Sequence, residues 1–406
     1  MSRVPRIRFK GFEEDWEQRK LGELADIIGG GTPSTLNLEY WDGNIDWYSP
    51  AEIIDQIYVD RSQRKITELG FENSSAKMLP EGTVLFTSRA GIGKTAILAK
   101  KGCTNQGFQS IVPYSNKLDS YFIFSRTEEL KKYGELVGAG STFAEVSGRQ
   151  MGNMQLMIPK TIGEQHIIGV LFSTFDRLIT LHQRKLEKLK TIKKSMLENF
   201  FPQNGEKTPK IRFSGFIEDW EQRKLGEIVK EVNRVDENSN APVMMITAND
   251  GFIEQSERYS TDNAGKSLKK YILLKRWELA YNHGASKIRP FGSCFALTRA
   301  ANIRIPFVYH CFLALEDNPE FLEHTLNGKN VENQLRKIVS SGARMDGLLN
   351  ISFQEYTSIF IRCPIRKEQD KIAILIKSLD HLITLHQSKL EKLQKIKKSM
   401  LESMFV

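Results

Sequence analysis

Apolar residues between 164 and 200 recur with helical spacing. Phe175, Ile179, His182, Leu186, Leu189, Lys193 and Met196 follow alternating steps of four and three, and Leu379, Ile383, His386, Leu390, Leu393, Lys397 and Met400 repeat the series. This is a heptad seam with two polar positions in it. No Gly or Pro interrupts either stretch after Gly169. A helix over 164–200 would be a rod of roughly 55 Å. Such a stripe is not buried by one helix alone, so each copy predicts the other as its partner. Phe175, Ile179, Leu186, Leu189 and Met196 then face Leu379, Ile383, Leu390, Leu393 and Met400, and His182 and His386 set register.

Elsewhere the pattern predicts short strands mixed with helices. Thr83–Thr87, Thr95–Ala99 and Gln109–Pro113 read as strands and Leu118–Val137 as a helix. Further on, Glu278–Asn282 and Cys294–Thr298 read as strands and Pro319–Val339 as a helix. Apolar runs at Met154–Pro159 and Ile359–Pro364 precede the two long helices, and 200–209 reads as a polar Pro/Gly linker. The order of elements is similar in both halves.

That likeness has a source in the chain itself. Residues 5–23 return at 209–227 with 16 of 19 positions identical, and 175–198 return at 379–402 with 19 of 24 identical, both 204 residues on. The blocks between, 24–157 and 228–361, have little visible similarity. A duplicated frame around divergent inserts implies one scaffold presenting two recognition surfaces. The expected fold is mixed α/β (α+β): two copies of one domain and two long helices, with a pseudo-twofold internal repeat. The expected domains are 1–160, 161–204 (helix and linker), 205–362 and 363–406 (helix). Trp16 and Trp220, inside the repeated frame, read as packing residues.

Candidate chemistry lies in the inserts. Ser88–Thr95 follows a strand and ends in Gly-Lys-Thr, like a phosphate-binding loop with Ser88 in place of its first glycine. Such a loop needs a helix next, but Ala96–Ala99 reads as a strand, and this favours a hairpin presenting Arg89 and Lys94. Asn282–Arg289 holds the equivalent place in the second insert and offers Asn282, His283, Lys287 and Arg289; Arg344 is a further exposed candidate. Gly29–Ser34, with Thr32 and Ser34, supports two readings, an anion-binding backbone nest or a turn. Asn105 and Gln106 suit adenine edges or turn chemistry equally. Trp41 and Trp47 read as core.

Net charge is +9, and a basic protein suggests a polyanionic partner. The segments 161–204 and 363–406 carry +3 and +4 of it, which leaves +2 for the inserts and frames, so any DNA-binding cluster must be assembled by folding. No apolar run of 18 residues or secretory h-region occurs, which predicts a cytoplasmic protein without membrane contact. Cys103, Cys294, Cys311 and Cys363 are scattered and read as buried thiols. No metal-ligand spacing, catalytic triad or adenine-methyltransferase motif appears, so catalysis by this chain is not expected.

The paired frames, the apolar-Pro segments leading to Glu-Gln at 158–165 and 363–369, and the repeated Leu-Ile-Thr-Leu-His-Gln helices resemble the specificity (S) subunit of type I restriction–modification systems. Gly30–Ser34, Ser88–Arg89 through Gly93–Lys94 and Asn105–Phe108 also look like recurrent target-recognition sequences. The resemblance implies that each insert reads one half of a bipartite, asymmetric double-stranded DNA site. It implies that the long helices pack as an antiparallel coiled coil, space the half-sites and dock two methyltransferase subunits. S-adenosylmethionine, ATP and Mg would then belong to those partners and to the restriction subunits, with no cofactor in this chain. A P-loop ATPase and a coiled-coil adaptor without DNA binding are the alternative readings.

Overall fold

The structure, a computed structural model, describes residues 4–405 except 90, 140–143, 204, 249, 259–264 and 340–347. Two compact units form: 1–184 with 387–406, and 185–386. The first contains β1 (Glu17–Lys20), β2 (Ala25–Gly29), β3 (Trp41–Tyr48), β4 (Tyr58–Val59), β5 (Arg64–Ile66), β6 (Val84–Phe86), β7 (Thr95–Leu98), β8 (Cys103–Thr104), β9 (Gln109–Pro113), α1 (Ser120–Phe124), α2 (Thr127–Gly138) and β10 (Gln155–Ile158). It also holds the start of α3 (Ile162–Asn199). The second contains β11 (Glu221–Lys224), β12 (Val229–Glu231), β13 (Met244–Thr247), β14 (Gly251–Glu254), β15 (Ile272–Lys275), β16 (Glu278–Asn282), β17 (Ser293–Ala296), β18 (Asn302–Ile305), β19 (His310–Ala314), α4 (Pro319–Leu326), α5 (Lys329–Ile338), β20 (Phe360–Cys363) and the start of α6 (Arg366–Met404). Shorter helical turns connect them. Among the described residues no helix is long and apolar enough to cross a membrane.

The two inserts share their central sheet. Its order is β2-β9-β6-β7 in the first unit, with β4 added at the edge, and β12-β19-β16-β17 in the second. The hairpins correspond as well: Leu85 pairs with Ala96 across β6 and β7, and Ala280 with Phe295 across β16 and β17. The sequence reading of one fold carrying two surfaces therefore holds.

The frame's repetition is explained by what it grips. β1 pairs antiparallel with β10, and β11 with β20, so each frame strand clasps the strand that leads into a long helix. Arg8 donates twice to Glu164, at 2.7 and 2.8 Å, and Arg212 donates twice to Glu368, at 2.8 and 2.7 Å. Both carboxylates are buried, so the bidentate geometry offsets desolvation. The adjacent glutamines tie helix to insert. Gln165 accepts from the Asp119 amide and Gln369 from the Asn318 amide. Asp119 and Asn318 in turn cap α1 and α4.

The expected single helices over 118–137 and 319–339 are each broken. Arg126 interrupts the first, turning its guanidinium into the interior to donate to Met157 O at 2.5 Å. Asn327 interrupts the second; its amide pairs with Cys294 of β17, donating at 2.6 Å and accepting at 3.1 Å. Satisfying a sheet edge outweighs helix continuity there.

The heptad seam is the buried stripe. Ile179, Leu186, Leu379, His386 and Leu390 are buried, and Phe175, Leu189, Met196, Ile383, Leu393 and Met400 are half-buried. Within the first unit Phe172 stacks on Phe405 while Asp176 meets Lys397, so the helices run antiparallel. Within the second, Lys193 meets Asp380, and Phe200 joins the core that holds Ile372 and Ile376. Phe200 and Phe201 are thus no linker. Phe201 packs on Trp220 and Phe321, as Phe405 packs on Trp16 and Phe122. Each aromatic buried this way stabilises its unit by about 1.5–3 kcal/mol. The tail of each long helix closes the core at the head of the other. Trp16 and Trp220 sit within these cores, as the frame predicted.

Candidate nucleic-acid interface

Strand direction gathers three motifs of the first insert. The end of β2, the end of β6 and the start of β9 lie at one margin of the sheet, since β9 runs antiparallel to both neighbours. Gly30–Ser34, Ser88–Lys94 and Asn105–Phe108 extend from that margin. Backbone bonds join them: Gly31 N donates to Thr104 O at 2.8 Å and Ser88 N to Gly107 O at 2.8 Å. Thr32 Oγ1 donates to Gln106 Oε1. A Cβ at Gly30 would stand 2.0 Å from Asn105 O, so only glycine permits this approach.

The two readings of Gly29–Ser34 resolve toward an ordered turn. The Gly31 amide is spent on Thr104, and two indoles hold the loop from below. Trp47 Nε1 donates to Gly31 O at 2.8 Å and Trp41 Nε1 to Ser34 O at 3.1 Å. The tryptophans are buried, as expected, but their anchoring of this loop had no signature in the sequence beyond proximity. Asn105 Oδ1 accepts from Gly107 N at 2.8 Å, which is turn chemistry. Gln106 and Ser34 are exposed and Thr32 is half-buried.

The Ser88–Thr95 segment is the hairpin its sequence suggested. Thr95 opens β7, so no helix N-terminus stands ready for a phosphate. Thr87 Oγ1 donates to Gly91 O at 2.7 Å and accepts from Lys94 N at 3.0 Å, which shapes the tip. Arg89 is half-buried and Lys94 exposed, and no described carboxylate pairs with either. Ser88 departs from expectation: its hydroxyl is buried without a partner among the described residues, so it does not face a ligand.

The second tip keeps fewer of its candidates on the surface. Asn282 donates to Ile246 O at 3.0 Å and accepts from Gly284 N at 2.9 Å. His283 is buried, with Nδ1 at 2.7 Å from Leu349 O and Nε2 at 2.8 Å from Val308 O. Both side chains hold the hairpin base instead of reaching outward. Arg289 leans back to donate to Asn327 O at 2.8 Å, and Lys287 is exposed. Arg344 lies outside the described residues.

Beside each tip lies a cleft that single motifs did not reveal. In the first unit it encloses about 1500 Å³ and includes Arg89, Lys94, Lys131 and Lys397. In the second it encloses about 1660 Å³ and includes Lys194, Lys210, Arg299, Lys329 and Lys337. A signal was available: Lys329, Asn333 and Lys337 recur at steps of four, which places them on one helical face. Burial sets the ionisation of two groups in the second cleft. It pushes the Glu323 carboxyl up to about 7, against the Ala296 amide that lowers it. It pushes the His324 imidazole down to about 4, aided by Lys193.

Comparison with known proteins gives this geometry relatives. Residues 13–191 match the family model of the type I restriction modification DNA specificity domain. The chain is 33% identical over 238 residues to the MjaIX specificity subunit of Methanocaldococcus jannaschii, covering 56% of this chain and 54% of that protein. It is 28% identical over 184 residues to the EcoR124I/EcoR124II specificity subunit of Escherichia coli, covering 43% and 44%. With the MjaVIII specificity subunit of M. jannaschii it is 23% identical over 411 residues, covering 96% and 91%. The first two matches span about half the length of those relatives. The fold is similar to the crystal structure of the type I restriction–modification S subunit from M. genitalium, with a TM-score of 0.59, 14% identity and 99% of both chains covered.

Proposed function

We propose that this chain is a type I restriction–modification specificity subunit and that each of its inserts reads one half of a bipartite, asymmetric DNA site. One observation carries the reading: the same sheet, on a near-identical frame, presents a hairpin tip in each unit, and the two tips share almost no residues. Lys and Arg on phosphates would position each insert, and the polar tip residues on base edges would specify. In the first unit the candidates for these contacts are Thr32, Ser34, Arg89, Lys94 and Gln106; in the second, Lys287.

The chain itself supplies specificity without catalysis in this reading. Methyltransferase subunits holding S-adenosylmethionine would modify adenine after flipping it from the stack. Restriction subunits using ATP and Mg would join the same assembly. A second stripe on the helices supports docking of two like partners. Val170, Leu178 and Leu181 are exposed on α3, and the corresponding Ile374, Leu382 and Leu385 are exposed on α6. The ATPase alternative lacks the helix it needs after Thr95.

The test is exchange of residues 24–157 for another insert, read by single-molecule sequencing of adenine methylation. One half-site should change while the other persists. An unaltered target would sink the proposal, and salt-insensitive, sequence-blind behaviour of the assembled complex would favour a protein adaptor.

A further inference from the structure

The two clefts are alike in size and in place, and they differ in charge. Among the described residues the first is lined by five Lys/Arg and five Asp/Glu. The second is lined by nine Lys/Arg and four Asp/Glu. Pairing preserves the difference: in the first cleft Lys397 is paired with Asp176, which leaves Arg89, Lys94, Lys131 and Lys398 against Asp55, Glu128, Glu135 and Glu145. In the second, Lys193 is paired with Asp380, Lys190 with Glu187, and Arg289 and Arg362 donate to backbone carbonyls. Lys194, Lys210, Arg299, Lys329 and Lys337 remain, all exposed, and no described carboxylate pairs with any of them. Of the four acids, Asp380 is neutralised by Lys193, and the Glu323 carboxyl is held up at about 7. Glu198 and Asp250 are left against five free cations.

The arrangement suits a polyanion chain better than a small anion. The cleft is broad, and its unpaired cations come from separate elements: Lys194 from α3, Lys210 from the frame, Arg299 from the segment between β17 and β18, and Lys329 and Lys337 from α5. Lys329 and Lys337 stand two turns apart on α5, roughly 12 Å along the axis. Phosphates of one DNA strand recur every ~3.4 Å of duplex axis, so this face reaches phosphates about three steps apart. Asn333 between them adds an amide on the same face.

We propose that the second unit supplies most of the sequence-independent phosphate grip of this subunit, through Arg299, Lys329 and Lys337 with Lys194 and Lys210. The first unit's cleft contributes little to that grip. This inference rests on the DNA-specificity reading above. It gives the two halves unequal tasks: one holds the duplex firmly at any sequence, and the other adds affinity only where its bases fit.

The experiment uses the chain assembled with its methyltransferase subunits. Binding is measured across a salt series on a duplex carrying the methylated motif and on a scrambled duplex. The triple variant Arg299→Ala, Lys329→Ala, Lys337→Ala should reduce the slope of log K against log salt by about 2–3 on both duplexes. Its ratio of target to scrambled affinity should stay within about twofold. The conservative variant Arg299→Lys, Lys329→Arg, Lys337→Arg should keep the slope of the unaltered complex, separating charge from folding. Lys131→Ala, Lys398→Ala in the first unit should change the slope by less than about one. An unchanged slope in the triple variant overturns the inference, as do equal losses from both units. Failure of the triple variant to assemble, with assembly kept by the conservative one, also overturns it and makes the face a protein-docking surface. If the unaltered complex does not discriminate the two duplexes, the specificity reading itself fails.

Discussion

Lys193 reaches across to Asp380 at 2.5 Å, and the repeat-related Lys397, 204 residues on, reaches Asp176, 204 residues before Asp380, at the same distance. The seam positions that looked polar in sequence are therefore not defects in an apolar stripe. Each ammonium lies in the seam and meets a carboxylate one residue beyond the seam of the opposing helix. The geometry pins register, because a slip of one heptad would put both lysines opposite Gln387 and Gln183, or Ala373 and Gly169, and so deprive each of its carboxylate.

Reversing Lys193→Asp alone should destabilise the second unit, and Lys193→Asp with Asp380→Lys should recover much of the loss. The pair is partly exposed, so a double-mutant cycle should return a coupling of only about 0.5–1 kcal/mol. Urea denaturation of the four chains gives the number; a coupling of zero would show that register is set by the apolar seam alone.

Arg8→Ala should cost about 3–5 kcal/mol, because it strands the buried Glu164 carboxylate. Hydrogen exchange should rise in 5–23 and at the start of α3, and the equivalent Arg212→Ala should act on the frame at 209–227. Loss of protection confined to the residues beside Arg8 would show that the frame is not the clasp inferred from its contacts.

Glu323 makes the second unit pH-dependent. Its carboxyl titrates at about 7 in the folded chain against an ordinary 4.5, so the folded form binds the extra proton between those values. The stabilisation is complete below 4.5 and is lost as pH rises through 7. Glu323→Gln should therefore stabilise the chain at pH 8 by up to about 3 kcal/mol and change little at pH 4.5. Melts at the two pH values decide it; equal effects at both would mean an ordinary carboxylate.

Trp47→Phe keeps the ring and removes the bond to Gly31 O. Losing that one buried bond should cost about 1–2 kcal/mol, loosen 30–34, and weaken selection at the first half-site only. Methylation sequencing should show relaxed bases in one half of the motif, and relaxation in both halves would assign the effect to general instability.

Leu181→Asp and Leu385→Asp place a charge on the outer stripe without touching the seam. Each should remove one of two methyltransferase subunits from the assembly, measurable as stoichiometry by native mass spectrometry. Retention of both partners by the double variant would exclude this stripe as their seat.

The parts of this fold that were legible in sequence are those with a period. The heptad seam, the repeated frame and the strand–turn–strand at Ser88–Thr95 follow from spacing, and the structure keeps all three. Single polar residues were legible only as types. Ser88 and His283 are hydrogen-bonding residues beside a turn, and nothing local says that one is buried or that the other is clamped by Leu349 and Val308. Asn327 and Arg126 break helices because of partners in distant strands, which a local pattern does not contain. Phe200 and Phe201 read as linker because Pro202 and a polar run follow them, yet their contacts lie in the second core.

The crossing of helix tails has a consequence for biosynthesis. Phe172 emerges from the ribosome early, but Met404 and Phe405, which complete the core around it, emerge only after the whole second unit has been made. The unit translated first is thus the one that matures last. A chain interrupted midway carries an open first core with no plug, which exposes it to proteolysis.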